Sequence, residues 1–343
     1  MEKENLKTLW DEVEKVSYNP RRLKEPFGTI LFSLPDIPAY IYQNFIYNFP
    51  FYIGVPPFFY RYGREFSRRI FRVSPSQRVD GEIAMRSGNR ETVVLVHGIF
   101  QSKYFKFIRD IASKLFYRYG FNVIIVDTRD HLGTRTLSPE NLASPGVLEG
   151  EDIIRIGEII RADNPHSPLY LIGFSYGGGI VLNASSSEKA KDLLAGVIAI
   201  SPTMILKHAV EHIDTDPGLF SPFKPVYDLF QLCMRLRYGI SVRSFDEYLE
   251  RSADDYGFSK EEMLEKSSLT NFFGKITIPV LLIVSEDDPV IPGGDIKVVK
   301  RKISSKENIK VMVRKKGGHI AFPFVDKKWF FKIIEKFIEY SNT

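Results

Sequence analysis

The chain has 343 residues, 44% of them hydrophobic and 26% charged. That composition excludes collagen-like, coiled-coil and largely disordered chains, and at roughly 100–200 residues per domain it predicts two domains or one large domain with insertions. Lys and Arg total 47 against 42 Asp and Glu, a net charge of +5, too small an excess to argue for a nucleic-acid partner. The single cysteine, Cys233, excludes an intrachain disulfide framework and a Cys-based zinc site, and fits a reducing compartment. It lies in a helical run with Leu229, Phe230, Leu232 and Leu236 and reads as a small buried side chain. The opening residues lack the apolar core of a signal peptide, and no stretch approaches 18 uninterrupted apolar residues, so the expectation is a cytoplasmic protein without a membrane span.

Leu6, Leu9, Trp10, Val13 and Val16 recur at helical spacing and predict a short amphipathic helix over 4–16. Six prolines between 26 and 62 then break any long helix. Eleven aromatic residues crowd Tyr40 to Tyr62, followed by a basic run of Arg61, Arg64, Arg68, Arg69 and Arg72. An aromatic stretch beside a basic run is a composition used at anionic membrane surfaces, which makes peripheral membrane contact one expectation for this segment. The other is that these aromatics cover a sheet edge or wall a substrate pocket.

From about residue 70 short apolar strands alternate with helices. Strands are predicted at 70–74, 78–86, 92–97, 121–127, 168–174, 194–201, 278–285 and 309–314. Helices are predicted at 103–118, 149–161, from Tyr176, at 293–303 and at 327–340. This order implies an α/β fold, a mostly parallel sheet of about eight strands with helices on both faces. The rhythm fails once, between Thr203 and Ile276, where helical pieces at 225–237, 245–254 and 259–267 predict an inserted cap. The expected organisation is therefore an extension at 1–69, a core at 70–203 and 276–343, and a cap at 204–275.

Gly173-Phe174-Ser175-Tyr176-Gly177 joins a predicted strand directly to a predicted helix. A serine on such a sharp turn is held in strained geometry with its hydroxyl exposed, and small residues two before and two after avoid collision. The helix that follows aims its positive end at developing negative charge. Serine needs a base, and the base needs a carboxylate to orient it. Both must come from strand ends on the same edge of the sheet. The strand at 278–285 ends in Glu286-Asp287-Asp288-Pro289, and the strand at 309–314 leads to Gly317-Gly318-His319. Ser175, Asp288 and His319 are the expected triad, with Asp287 the competitor for the acid role. Asp288 is favoured because it opens an Asp-x-x-Ile-Pro turn through Ile291 and Pro292. The amides of Ile99 and Tyr176 are the expected oxyanion donors, with Phe100 the fallback. Phe100 and Phe174 are expected to contact substrate. His97 is expected to brace its loop rather than move protons.

These residues together resemble the α/β-hydrolase superfamily. The resemblance rests on His97-Gly98 after a strand, the Gly173–Gly177 elbow, the Asp288 turn, the Gly318-His319 loop, and Asp127-Thr128-Arg129-Asp130-His131 after the next strand. The long extension and the Ser285–Pro289 turn are similar to the YheT-like esterase/lipase subgroup. The resemblance implies a hydrolase of carboxylic esters, thioesters or amides that needs neither metal nor organic cofactor. Dehalogenases and epoxide hydrolases of this fold carry Asp at the elbow, and Ser175 argues against both. The expected partner is a small-molecule acyl substrate, with an apolar acyl group suggested by the Leu, Phe, Met and Tyr content of 203–276. Acyl transfer and peptide or amide cleavage are open to the same triad. A non-catalytic lipid-binding relative is the rival from another class, and such proteins usually lose a catalytic part.

Three further features carry weaker signals. His208-Ala209-Val210-Glu211-His212 matches H-x-x-E-H and could offer two histidines to zinc, with Asp214 or Asp216 as a further ligand. A zinc-protease reading would make the whole triad pattern a coincidence, so no metal is expected. Arg129, Asp130 and His131 follow a strand near the expected active-site face, where a loop-bracing Arg–Asp pair is expected and substrate contact is the alternative. The basic residues of 297–316, including Lys300, Arg301, Lys302, Arg314, Lys315 and Lys316, read as solvated surface.

Overall fold

Thr92–Val96, Asn122–Val126 and Val280–Ser285 are rich in β-branched residues and buried along their whole length. Such runs suit strands covered on both faces, and in the computed structural model all three are interior strands of one sheet. The structure describes residues 3–20, 62–88, 90–221, 224–238, 242 and 244–342. The strands are β1 (Ser67–Arg72), β2 (Arg78–Ala84), β3 (Thr92–Val96), β4 (Asn122–Val126), β5 (Leu169–Phe174), β6 (Gly196–Ile200), β7 (Val280–Ser285) and β8 (Ile309–Arg314). They form an eight-stranded sheet in the order β1-β2-β4-β3-β5-β6-β7-β8. From β4 to β8 neighbouring strands are parallel, while β2 runs antiparallel to both β1 and β4. Val96 lies opposite both Val126 and Gly173, so the strands end level and their exit loops share one edge.

Strand alternation divides the core in two. Val94, Val96, Ile124 and Val126 belong to the cluster with α4 (Val147–Asp163) and α5 (Tyr176–Ser185). Val93, Leu95, Val123 and Ile125 belong to the other cluster, with α2 (Lys106–Tyr117) and α13 (Lys327–Ser341). The short α3 (Leu132–Leu137) and α6 (Ala190–Leu193) complete the crossovers before β6, and α11 (Gly293–Lys302) and α12 (Phe322–Val325) follow β7 and β8. Between β6 and β7 lie α7 (Leu206–Asp214), α8 (Lys224–Tyr238), α9 (Phe245–Asp255) and α10 (Lys260–Ser267), with no strand among the described residues. The side chain of Cys233, on α8, lies outside the described residues.

α1 (Lys3–Glu14) packs on the core. Leu6, Leu9, Trp10 and Val13 join the second cluster, the Trp10 ring lies 6.2 Å from that of Phe337, and its indole N–H donates to the Glu307 carbonyl at 2.8 Å. Of the aromatic stretch, only Tyr62 is described; its ring stacks on Phe66 at 4.7 Å and its hydroxyl donates to the Lys103 carbonyl. The expectations of pocket lining, edge covering and membrane contact for Tyr40–Tyr60, and Arg61, lie outside the described residues. Arg68 and Arg69 pair with Asp80 and Asp163 at 2.8 and 2.6 Å. Arg314 departs from the expected solvated surface, because its guanidinium lies over the rings of Tyr18 and Trp329 at 5.5 and 5.2 Å. No helix among the described residues is long and apolar enough to cross a membrane.

Candidate active site

β5 runs straight into α5 with Ser175 between them, at φ 54° and ψ −118°. Side chains rarely accept that backbone, and it turns the serine out of the sheet. The elbow needs its glycines: a Cβ on Gly173 would lie 2.1 Å from the Gly177 carbonyl oxygen, and one on Gly177 would lie 2.4 Å from those of Val96 and His97. The Ser175 amide continues the sheet ladder by donating to the Ile200 carbonyl at 2.8 Å.

Ser175 Oγ lies 2.6 Å from His319 Nε2. On the other side of the ring, His319 Nδ1 lies 3.0 Å from each carboxylate oxygen of Asp288. The His319 and Asp288 side chains are 8% and 2% exposed, which leaves this chain of three groups almost out of water. Asp288 Oδ1 also accepts the amides of Val290 and Ile291 at 2.8 and 3.0 Å, so the turn orients its own carboxylate. Asp287 does different work: its Oδ1 accepts the Gly318 amide at 2.8 Å and holds the histidine loop. Gly318 adopts φ 53° there, and its carbonyl accepts from the Ser285 hydroxyl at 2.5 Å.

The loop after β3 packs on the elbow, with the Cβ position of Gly98 3.4 Å from the Ser175 Cβ. Ile99 and Tyr176 line the same cavity as Ser175, and Tyr176 opens α5. His97 is fully buried; its Nδ1 lies 2.8 Å from the Gly98 carbonyl, and its Nε2 accepts the Thr128 amide at 3.3 Å. Behind it sits a charge cluster that sequence reasoning missed. Lys103 is fully buried, with Nζ 2.5 Å from Asp80 and 3.6 Å from Asp127. Asp127 accepts the amides of Lys103 and Gly133 at 2.7 and 3.2 Å, and burial pushes its carboxyl up to about 6. No spacing signal joins Lys103 to Asp80, because the sheet brings them together.

Arg129 does brace its loop, but not through Asp130. It makes a bidentate pair with Asp152 on α4, at 2.6 and 2.9 Å, and this pair holds the guanidinium charged despite its burial. Asp130 instead lies 3.3 Å from Arg135 and accepts the Tyr248 hydroxyl at 3.2 Å. Tyr248 in turn accepts the Ala143 amide at 3.1 Å.

An apolar cavity lies above Ser175. Ile99, Pro145, Tyr176 and Val290 form its sides; Leu206, Ala209, Val210 and Ile213 of α7, with Phe245 and Tyr248 of α9, form its roof. It is narrow, about 30 Å³, enough for about two water molecules. Neither phenylalanine expected at the substrate lines it. Phe174 points to the opposite face of the sheet, fully buried 5.0 Å from the Phe107 ring, because successive strand residues alternate. Phe100 stands behind the roof, 2% exposed and 6.3 Å from the Phe245 ring. His208 and His212 do not share a centre: His208 Nδ1 lies 2.8 Å from Asp295, and His212 Nε2 donates to the Pro289 carbonyl at 3.2 Å.

Comparison with known proteins gives a consistent picture. The chain is 24% identical to monoacylglycerol lipase ABHD2 of Danio rerio, over 69% of this chain and 59% of that one. It is 22% identical to a monoacylglycerol lipase of Saccharomyces cerevisiae, over 72% and 58%. The chain therefore spans less than two thirds of the length of either relative. Among solved structures, the Pyrococcus furiosus esterase Pf2001 shares the fold, with a TM-score of 0.57 at 16% identity, covering 80% of this chain and 92% of that one. The model of the alpha/beta hydrolase family matches residues 93–332, more than half of the sequence and all three of Ser175, Asp288 and His319, and the chain belongs to that family.

Proposed function

We propose that the protein is a serine hydrolase that cleaves carboxylic esters or thioesters of apolar acyl groups. The observation that carries this reading is the unbroken Asp288–His319–Ser175 chain, at 3.0 and 2.6 Å, on a strained elbow beneath an apolar cavity. The esterase and lipase names of the relatives fit the same chemistry.

The proposed reaction gives each of these groups a role. His319 Nε2 takes the proton of Ser175 as Oγ attacks the acyl carbon. Asp288 holds the ring by Nδ1 and stabilises the imidazolium that forms. The amides of Ile99 and Tyr176 donate to the oxyanion, aided by the positive end of α5. His319 then protonates the leaving group, and water returns through the same base to release the acid. The cavity takes the acyl group, since its lining offers apolar surface and few polar partners.

A fluorophosphonate probe tests the nucleophile. Wild-type protein reacts and Ser175→Ala does not. An unlabelled wild type, under conditions where a control esterase reacts, overturns the reading.

A further inference from the structure

α7 meets two different surroundings. Its apolar residues Leu206, Ala209, Val210 and Ile213 roof the cavity. His208 and His212, four residues apart and so on one side of the helix, reach the segment that follows β7. His212 Nε2 donates to the carbonyl of Pro289, the residue next to the triad acid. Val290, one residue further, lines the cavity, and its amide donates to Asp288 Oδ1. That oxygen also faces His319 Nδ1. The backbone of 289–291 and the orientation of the Asp288 carboxylate are therefore one unit.

The second attachment is firmer. Asp295 is 3% exposed, and its Oδ2 has no hydrogen-bond partner among the described residues. Its Oδ1 lies 2.8 Å from His208. A buried carboxylate with so few bonds among the described residues loses much when His208 leaves it. The cavity is narrow with α7 where it stands, and its roof is tied to the acid turn.

We infer that His208 and His212 are positioning residues that couple the roof of the acyl cavity to the triad acid. Through these two bonds the seat of α7 sets the orientation of Asp288 towards His319. This rests on the ester-hydrolase reading above. It also gives the H-x-x-E-H pattern a use in which each histidine serves its own protein acceptor.

The test compares the wild type with two double variants on p-nitrophenyl acetate and p-nitrophenyl octanoate. His208→Ala with His212→Ala removes both bonds. His208→Asn with His212→Gln places an amide nitrogen near each lost ring nitrogen. The alanine pair is expected to lose about tenfold in kcat on octanoate, with a smaller loss on acetate and KM within about twofold. The Asn/Gln pair is expected to keep at least about half of the wild-type kcat. Wild-type kcat in the alanine pair on both esters overturns the inference, as does an Asn/Gln pair impaired as deeply as the alanine pair. Where the alanine pair does not fold, His212→Ala alone carries the expectation of a smaller fall in kcat on octanoate, and wild-type kcat there overturns it. Fluorophosphonate labelling separates the two levels. An unlabelled, inactive wild type overturns the parent reading and this one with it, whereas a labelled, active wild type with unaffected variants overturns this one alone.

Discussion

Ser175, Asp288 and His319 hang from the ends of β5, β7 and β8, which lie in one hydrogen-bonded sheet. Leu206, Ala209, Val210, Phe245 and Tyr248 above them sit on α7 and α9, which belong to no sheet and reach the core through side chains. The two regions are fixed by different forces. Below, backbone ladders and a strained turn set positions. Above, apolar packing and a few polar tethers hold helices that can shift as bodies. The roof is itself uneven. α9 is tied to the segment before α4 by buried groups, with Tyr248 accepting the Ala143 amide and the Ser252 hydroxyl donating to the Ala143 carbonyl. α7 is tied to the segment after β7 by His208, whose side chain is 48% exposed, and by His212, and to α9 by Asp214, which accepts the Phe245 and Asp246 amides at 2.8 Å each. The floor should therefore carry the chemistry of any ester, while the roof should select the acyl group and reach the rate only through the tethers of α7.

Substitutions can break this division. Asp288→Asn should cost on the order of 10³-fold in kcat with any ester, because it disturbs the tautomer of His319, whereas Asp287→Asn should cost about tenfold or less. Steady-state kinetics on a short and a long ester checks both, and the reverse ranking would move the acid role by one residue. Ala209→Phe fills the roof above Ser175 and should lower kcat/KM on octanoate at least about tenfold relative to acetate. Equal losses on the two esters would mean that the Ala209 face of the roof does not select the acyl group. Tyr248→Phe removes the hydroxyl bonded to Asp130 and to the Ala143 amide. It should lower stability by about 1–2 kcal/mol in denaturant titration while leaving acetate turnover near wild type. A large loss on acetate would place α9 with the floor.

pH gives a finer probe of the loop behind the proposed oxyanion donors. Burial raises the Asp127 carboxyl to about 6 in the folded protein, above its ordinary value. The folded state then keeps a proton that the unfolded chain has already released between about pH 4 and pH 6, so this group's contribution to stability falls as pH rises through that window. Asp127→Asn should flatten that part of the stability curve, measured by denaturant midpoints across the window. An unchanged slope would mean that Lys103 compensates the charge fully.

The same division explains what could be read from the residues alone. The floor was legible because its chemistry needs particular residues at strand ends: glycines around Ser175, and a histidine after Gly317 and Gly318. The choice between Asp287 and Asp288 was harder, since both sit in one turn and only the fold decides which carboxylate meets the ring and which meets the Gly318 amide. The roof was not legible, because Leu206, Ala209 and Val210 show the spacing of any amphipathic helix. Arg129 found Asp152 across a helix 23 positions away, in place of its neighbour Asp130. Phe174 is the instructive case. Strand alternation already sends it to the face opposite its neighbours, so its absence from the cavity was written in its position next to Ser175.

The backbone at Ser175 carries one more consequence. With φ 54° and ψ −118°, it occupies a region where only glycine is at ease, and a side chain there costs roughly 1–3 kcal/mol. Ser175→Gly should therefore melt higher than the active protein while turning nothing over. At this position endurance and turnover are in direct opposition, and a lineage released from the need for the reaction would be free to drift towards a sturdier, inert descendant.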